Sequence, residues 1–462
     1  MYQGIRHFGL LMLAHAILWT ACPQDRALAA VAEQYGTSGG FAHYDQDGIP
    51  DLFVGAPFAT HKDRVGAVYV YRGNGDGFAG EPTWMLRGGD NFGYRFAAVG
   101  DLNGDGIDEY AVTAINGHGD RASLSGTVTI YKGAAKGEVY ATLSGEQALD
   151  KFGFSITGNC DLNADGYGDL VIGANRHSAS PEVHLGGAVY VYFGPKFNNQ
   201  MPVKLAATTH AGILGISTAS GDLNGDDIDD LVISAILSHG SRWHSSQVLG
   251  YYGSANFTPQ TDEADLVIKS ADGHFGDSLA VLEDLDGDGY NEVAIGVPET
   301  MAIPFPMPKH KGRVFVIKGG EGKRTIDLAE VGDELLTTIY GGANLERFGA
   351  VIAPLLGDFD DDTIDDFAVA APHGNAAGAT DLDSGLLTGK VYIFSSSAIH
   401  LNGTDTQATS AAALSQAARD LHYGTFMAPC EVGGEPNLLV GAPTGLRQMG
   451  VVYLEPLPIT TP

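Results

Sequence analysis

Short apolar runs punctuated by Gly, Asp and Asn recur from one end of the chain to the other. Leu52 to Pro57, Leu170 to Ala174, Val293 to Pro298, Phe367 to Pro372 and Leu438 to Pro443 form one set. A second set is β-branched and aromatic: Ala67 to Tyr71, Thr127 to Tyr131, Ala188 to Tyr192, Val248 to Tyr252, Arg313 to Ile317, Lys390 to Phe394 and Val451 to Leu454. Their length, alternation and β-branching predict strands, not helices.

These runs belong to one repeated unit. Each unit opens on an aromatic-Gly pair: Tyr35-Gly36, Phe92-Gly93, Phe152-Gly153, Phe275-Gly276, Phe348-Gly349 and Tyr423-Gly424, with Leu214-Gly215 as a weaker member. A short apolar stretch, an acidic loop, a run ending near Gly-Ala-Pro, a variable loop and a second strand follow. The last acidic-loop positions stand at 51, 109, 169, 230, 292, 366 and 437, at intervals of 58, 60, 61, 62, 74 and 71 residues. A unit of that length holds four short strands with their turns. The expected fold class is therefore all-β, a seven-bladed β-propeller, because radial repetition leaves only short, protected edges. Sandwiches would need longer units and a solenoid shorter ones.

Phe-Gly followed by Gly-Ala-Pro across an acidic loop resembles the FG-GAP repeat of the integrin α-subunit propeller. The resemblance spans residues 30–456. It implies calcium loops between strands 1 and 2 of the blades, on the same face as the 3–4 turns. Ligand binding is then expected on the opposite face, among the 2–3 and 4–1 loops. No leg domain, inserted adhesion domain or preceding phospholipase-D-type catalytic domain is expected, and 457–462 form a tail.

Five loops follow Asp-x-Asp/Asn-x-Asp-x-x-x-Asp/Glu in full. They are Asp101, Asn103, Asp105 and Glu109; Asp161, Asn163, Asp165 and Asp169; Asp222, Asn224, Asp226 and Asp230; Asp284, Asp286, Asp288 and Glu292; and Asp358, Asp360, Asp362 and Asp366. Ca²⁺ takes six to eight hard oxygens in a flexible cage. Positions 1, 3, 5 and 9 supply side chains, and the position 7 carbonyls of Ile107, Tyr167, Ile228, Tyr290 and Ile364 add one each. Gly106, Gly166 and Gly289 at position 6 suit the sharp turn, whereas Asp227 and Thr363 should strain it. Repeat 1 offers Asp45, Asp47 and Asp51 with His43 at position 1, a weaker site. Repeat 7, Pro429 to Asn437, should hold no metal. The count is five full Ca²⁺ sites and one weak one.

The chain has 56 acidic and 26 basic residues, a formal charge of −30. That balance excludes nucleic acid and anionic lipid surfaces as partners. Three cysteines, Cys22, Cys160 and Cys430, cannot staple a fold; the last two read as buried free thiols. Arg6 and His7 precede an apolar run from Phe8 to Ala21, the form of a secretory leader spanning 1–29, with a small-x-small site at Ala27-Leu28-Ala29. Trp19-Thr20-Ala21-Cys22 also resembles a lipobox, which would tether the chain by Cys22. No transmembrane span is expected, and the location is extracellular or at the cell surface (periplasm or outer membrane in a bacterium). The segment Leu28 to Gln34 is expected to pair with Val451 to Leu454 and close the ring.

Histidine is skewed to the loops assigned to the ligand face, where 11 of 15 fall. Arg176, His177, His239, Arg242, Trp243, His244 and His310 are the candidate ligand contacts, since Trp and Arg most often anchor interfaces. No nucleophile elbow, Walker loop, His-Glu-x-x-His or Cys-x-x-Cys occurs, so no catalytic residue is assigned. The expected function is a monomeric protein- or glycan-binding module. The competing reading is an extracellular polysaccharide lyase or hydrolase working at the channel mouth.

Overall fold

The computed structural model describes residues 26–29 and 34–457, except 46, 62–63, 196–200, 208–211, 240–241, 273, 299–310, 331, 344–345, 356–357, 359–361, 374–388, 396–404, 408–411, 415–421 and 444–450. Most of the stretch expected as a leader (residues 1–25), Asp360, His310 and residues 458–462 lie outside the described residues. Every described element is a strand or a turn, and the architecture is an all-β propeller.

Each repeat folds as antiparallel strands joined in sequence order. Repeat 3 is representative: Phe152–Cys160, Asp169–Ala174, Ala188–Tyr192 and Val203–Ala206 form one four-stranded sheet. Its second strand, Asp169–Ala174, is buried at every residue. A strand sandwiched between neighbouring sheets meets apolar atoms on both faces, so it reads as an unbroken apolar run. Outer strands cover one face only, and Leu266–Ser270 in repeat 4 alternates buried and half-buried.

The aromatic-Gly pairs lie at the seams between sheets. Tyr35, Phe152, Phe275, Phe348 and Tyr423 are fully buried. The Phe152 ring meets Tyr190 edge-on at 5.4 Å. Its carbonyl lies where a Cβ on Gly126 would stand, at 2.2 Å, so only glycine admits that approach.

The apolar core is divided into seven clusters among the described residues, each joining two consecutive repeats. Val171 and Val189 of repeat 3 pack with Leu231 and Leu249 of repeat 4, for example. The series closes on itself: Leu439, Val452 and Leu454 of repeat 7 pack with Leu52, Val54 and Tyr71 of repeat 1.

The strands make six sheets, not the seven expected. Five are blade-sized, with four or five strands; the sixth has eight and holds repeats 1 and 2 together. The union rests on one parallel pair, Gly66 with Phe92. The same contact between repeats 3 and 4 (Gly187 with Leu214) and between repeats 6 and 7 (Gly389 with Tyr423) is an isolated bridge and joins no sheets. The two five-stranded sheets gain their extra strand by parallel addition, Arg324–Asp327 on Leu266–Ser270 and Asp405–Gln407 on Leu335–Tyr340.

The last sheet recruits its outer strand from the start of the chain. Arg26–Ala29 pairs antiparallel with the final strand, Arg26 opposite Leu454 and Ala29 opposite Val451. The closing segment therefore begins two residues earlier than the expected Leu28 to Gln34 and shares Leu28 and Ala29 with it, which pair with Val452 and Val451.

Candidate metal loops and loop face

Five acidic loops share one hydrogen-bonding scheme. Position 1 accepts from the turn behind it: Asp101 takes the Gly104, Asp105 and Gly106 amides at 2.7–3.0 Å. Asp222 and Asp284 do the same, Asp161 accepts from Asp165 and Gly166, and Asp358 accepts from Thr363. Position 5 accepts the position 7 amide in every case, as in Asp105 with Ile107, Asp165 with Tyr167, Asp226 with Ile228, Asp288 with Tyr290 and Asp362 with Ile364. Asp47 with Ile49 repeats the pattern in repeat 1.

Position 6 is left-handed throughout. Gly48, Gly106, Gly166 and Gly289 have φ of 76–93°, and Asp227 and Thr363 are forced to 64° and 76°. A β-branched residue there is a steric outlier. Thr363→Gly is therefore expected to stabilise the protein by about 1 kcal/mol, the relieved strain less the entropy cost of glycine. Thermal melts of the two proteins in calcium check this, and an unchanged or lower midpoint contradicts it. Position 4 is also left-handed, at Gly104, Gly225 and Gly287 and even at Ala164, with φ of 56°.

Position 9 lies at the foot of the second strand and is buried. Asp51, Glu109, Asp169, Asp230 and Glu292 are 0% exposed and Asp366 is 2% exposed. Asp169 accepts the Leu162 amide at 2.9 Å and the Gly194 amide at 3.1 Å. Asp230 accepts from Leu223 and Gly253 at 2.8 and 2.7 Å. These bonds do not offset burial. Desolvation, with the neighbouring loop aspartates adding to it, lifts Glu109 and Asp230 to about 7 and Asp169 and Glu292 to about 8. Burial raises Asp51 as well.

The donor set fits a hard divalent cation. The buried Glu292 Oε1 and Asn224 Oδ1 have no hydrogen-bond partner, and both sit at expected ligand positions. In repeat 5, oxygens of Asp284, Asp286, Asp288 and Glu292 lie within 4.8 Å of one another. Among the described residues no other loop draws three carboxyl groups that close. Like charges repel, and the remaining aspartates turn to backbone amides instead.

Two loops depart from the scheme. In repeat 1, Arg72 Nε stands 3.2 Å from Asp45 Oδ2, and Nη2 stands 2.8 Å from Asp47 Oδ2. In repeat 7 the loop is a hairpin: Met427–Val432 pairs with Glu435–Ala442 through left-handed Gly433 and Gly434. Cys160 and Cys430 are buried free thiols, and burial raises both, Cys430 to about 12.

The candidate ligand contacts fare unevenly. His177 is 1% exposed and faces the core, its Nδ1 3.1 Å from Asp150 Oδ2, so it is no surface contact. His239, Arg242, Trp243 and His244 lie not in a loop but in an extended hairpin: Asp230–His239 pairs with Arg242–Tyr251, His239 opposite Arg242. His310 lies outside the described residues. Arg176 alone lines a groove, of about 650 Å³, between Gln147–Leu149 and Arg176–Leu185. Leu149 and Leu185 line it too, 51% and 45% exposed, and both are left-handed at φ of 68° and 55°. No sequence pattern marks a left-handed leucine, so neither was foreseen.

The groove is braced from below. Asp150 Oδ2 accepts the Gln147 amide at 2.8 Å and faces His177 Nδ1, and the Asp150 carbonyl accepts the Arg176 amide at 3.1 Å. Gln147 Nε2 donates across to the Ser178 carbonyl at 2.9 Å. His177→Ala removes the only side-chain contact described for the buried Asp150 carboxyl, leaves it the Gln147 amide alone, and is expected to cost about 2 kcal/mol. Urea unfolding checks this, and a loss under 0.5 kcal/mol contradicts it.

Family profiles agree with the repeat geometry. An FG-GAP-like repeat matches residues 43–112, and the FG-GAP repeat matches 152–192 and 275–317. The chain carries FG-GAP repeats on a β-propeller. It is similar to integrin alpha-7 of Homo sapiens, 38% identical over 153 residues, 31% of this chain and 12% of that protein. It is also similar to phosphatidylinositol-glycan-specific phospholipase D of Rattus norvegicus, 26% identical over 403 residues, 76% of this chain and 45% of that protein. The human phospholipase D matches at 27% over 401 residues, 76% and 44% of the two chains. The chain spans less than half the length of these relatives. No helix among the described residues is long and apolar enough to cross a membrane.

Proposed function

We propose that the chain is a calcium-stabilised, seven-bladed propeller, secreted or tethered at the surface, that binds a protein or glycan ligand through its 2–3 and 4–1 loops. Dividing the eight-stranded sheet at its single parallel pair supports a count of seven. Calcium sits in the loops of repeats 2 to 6, held by side chains at positions 1, 3, 5 and 9 and the position 7 carbonyls. It supplies the positive charge that the buried position 9 carboxylates lack. A cut before Cys22 leaves Arg26–Ala29 whole, which favours the tethered form.

The groove between Gln147–Leu149 and Arg176–Leu185 carries the binding reading. Two exposed leucines in strained backbone conformations are held by a buried His–Asp brace, and strain of this kind clusters at binding sites. Arg176 adds a cation to an otherwise acidic molecule and selects for carboxylate- or sulfate-bearing ligands. The test is binding to arrays of glycans and immobilised extracellular proteins by wild type, Arg176→Ala and Leu185→Asp. The reading expects at least a tenfold loss in both variants for any ligand the wild type retains. Equal retention by all three overturns it.

A further inference from the structure

We propose that two of the acidic loops carry their own competing cations: Arg72 closes the repeat 1 loop to metal, and Lys318 holds the repeat 5 site until calcium displaces it. The proposal rests on the calcium reading above and assigns the residues that grade it.

Arg72 and Lys318 occupy the same place in the repeat, directly before the glycine that follows the third strand (Gly73 and Gly319). That glycine lies against the loop. The Gly73 amide donates to Asp51 Oδ1 at 2.9 Å, and a Cβ on Gly319 would stand 2.2 Å from the Asn291 carbonyl. The side chain one residue earlier therefore lies over the acidic groups. Arg72 spans positions 3 and 5 with two nitrogens, at 3.2 and 2.8 Å. Lys318 Nζ bonds Asp286 and stands 3.7 Å from Asp288 Oδ2, again positions 3 and 5.

Among the described residues the other acidic loops lack this device. Lys132 holds the same place in repeat 2 but turns to Glu138. Repeats 3, 4 and 6 carry Phe193, Tyr252 and Ser395 there.

The two competitors differ in strength. A guanidinium is a planar fork, pre-organised for two carboxylates, whereas an ammonium is a single charge on a flexible stem. Arg72 also faces an incomplete ligand set, because His43 stands at position 1, so calcium gains little by evicting it. Lys318 faces four clustered carboxyl groups, Asp284, Asp286, Asp288 and Glu292, which a divalent ion satisfies better. The outcome is no metal in repeat 1 and a site of reduced affinity in repeat 5.

The test is calcium titration of chelated, folded protein by calorimetry, with bound ions counted by native mass spectrometry. Wild type is expected to take up five ions. Lys318→Met should also take five, with one step strengthened about fivefold, the worth of a favourable surface ion pair. Adding Glu292→Gln should abolish that step. Lys318→Gln serves if Lys318→Met does not fold. His43→Asp with Arg72→Gln should take up six ions. Identical titrations for wild type and both Lys318 variants overturn the Lys318 assignment, and six ions on wild type or five on the double variant overturn the Arg72 assignment. If no protein binds calcium, the calcium reading itself fails.

Discussion

Chelation of calcium is expected to lower the melting temperature by roughly 15 °C or more at pH 7.5. A ligand at a hundred times its dissociation constant contributes about 2.7 kcal/mol per site, and five sites act together. In a chain of this size each kcal/mol moves the midpoint by about 1–2 °C, less than in small domains. The effect should depend on pH in a definite direction. In the metal-free protein, burial holds Glu109 and Asp230 near 7 and Asp169 and Glu292 near 8, above the ordinary carboxylate range. A group whose folded value is raised stabilises the fold at low pH, and that contribution is lost as pH rises through the folded value. The chelated protein should therefore lose stability steadily from pH 5 to 8. The calcium form should not, because the ion favours the ionised carboxylates. Melts across that range, with and without chelator, should diverge as pH rises; parallel curves would contradict the burial account.

Removal of Arg26–Ala29 is the second large effect. The strand contributes four paired residues to an edge that is otherwise open. Val451–Pro456 would then present unpaired amides and carbonyls, a template for self-association. Chains cut after Ala29 are expected to aggregate at concentrations where chains starting at Cys22 stay monodisperse. A synthetic peptide spanning 24–31 should restore the monomer by strand addition. Monomeric, equally stable short chains by light scattering and melting would show that the strand does not close the ring.

The repeat was legible because its hydrophobic pattern and its aromatic-Gly pairs return at nearly constant intervals, each bound to one packing need. Burial on both faces made the strands apolar runs, and the strained positions of Asp227 and Thr363 followed from one glycine missing in a repeated turn. The ligand face was less legible because it depends on geometry that does not repeat. His177 looked like its neighbour Arg176, yet its partner Asp150 lies 27 residues away. Gly240 and Ser241 separate two strands that pair as far as His239 and Arg242, so the sequence read as a loop where the chain continues as a hairpin. The reach of Arg72 and Lys318 into the acidic loops was hidden for the same reason. Each is an ordinary charged residue at the end of a third strand, and only the fold brings it over carboxylates of the loop before the second strand.

The most direct test of a propeller held together by its acidic loops is a native mass spectrum of the purified chain, chelated and then reloaded with calcium. The account predicts a reversible gain of five ions per monomer, with a narrower charge-state distribution in the loaded form. A chain that takes up no calcium and keeps the same charge states and melting point would contradict it.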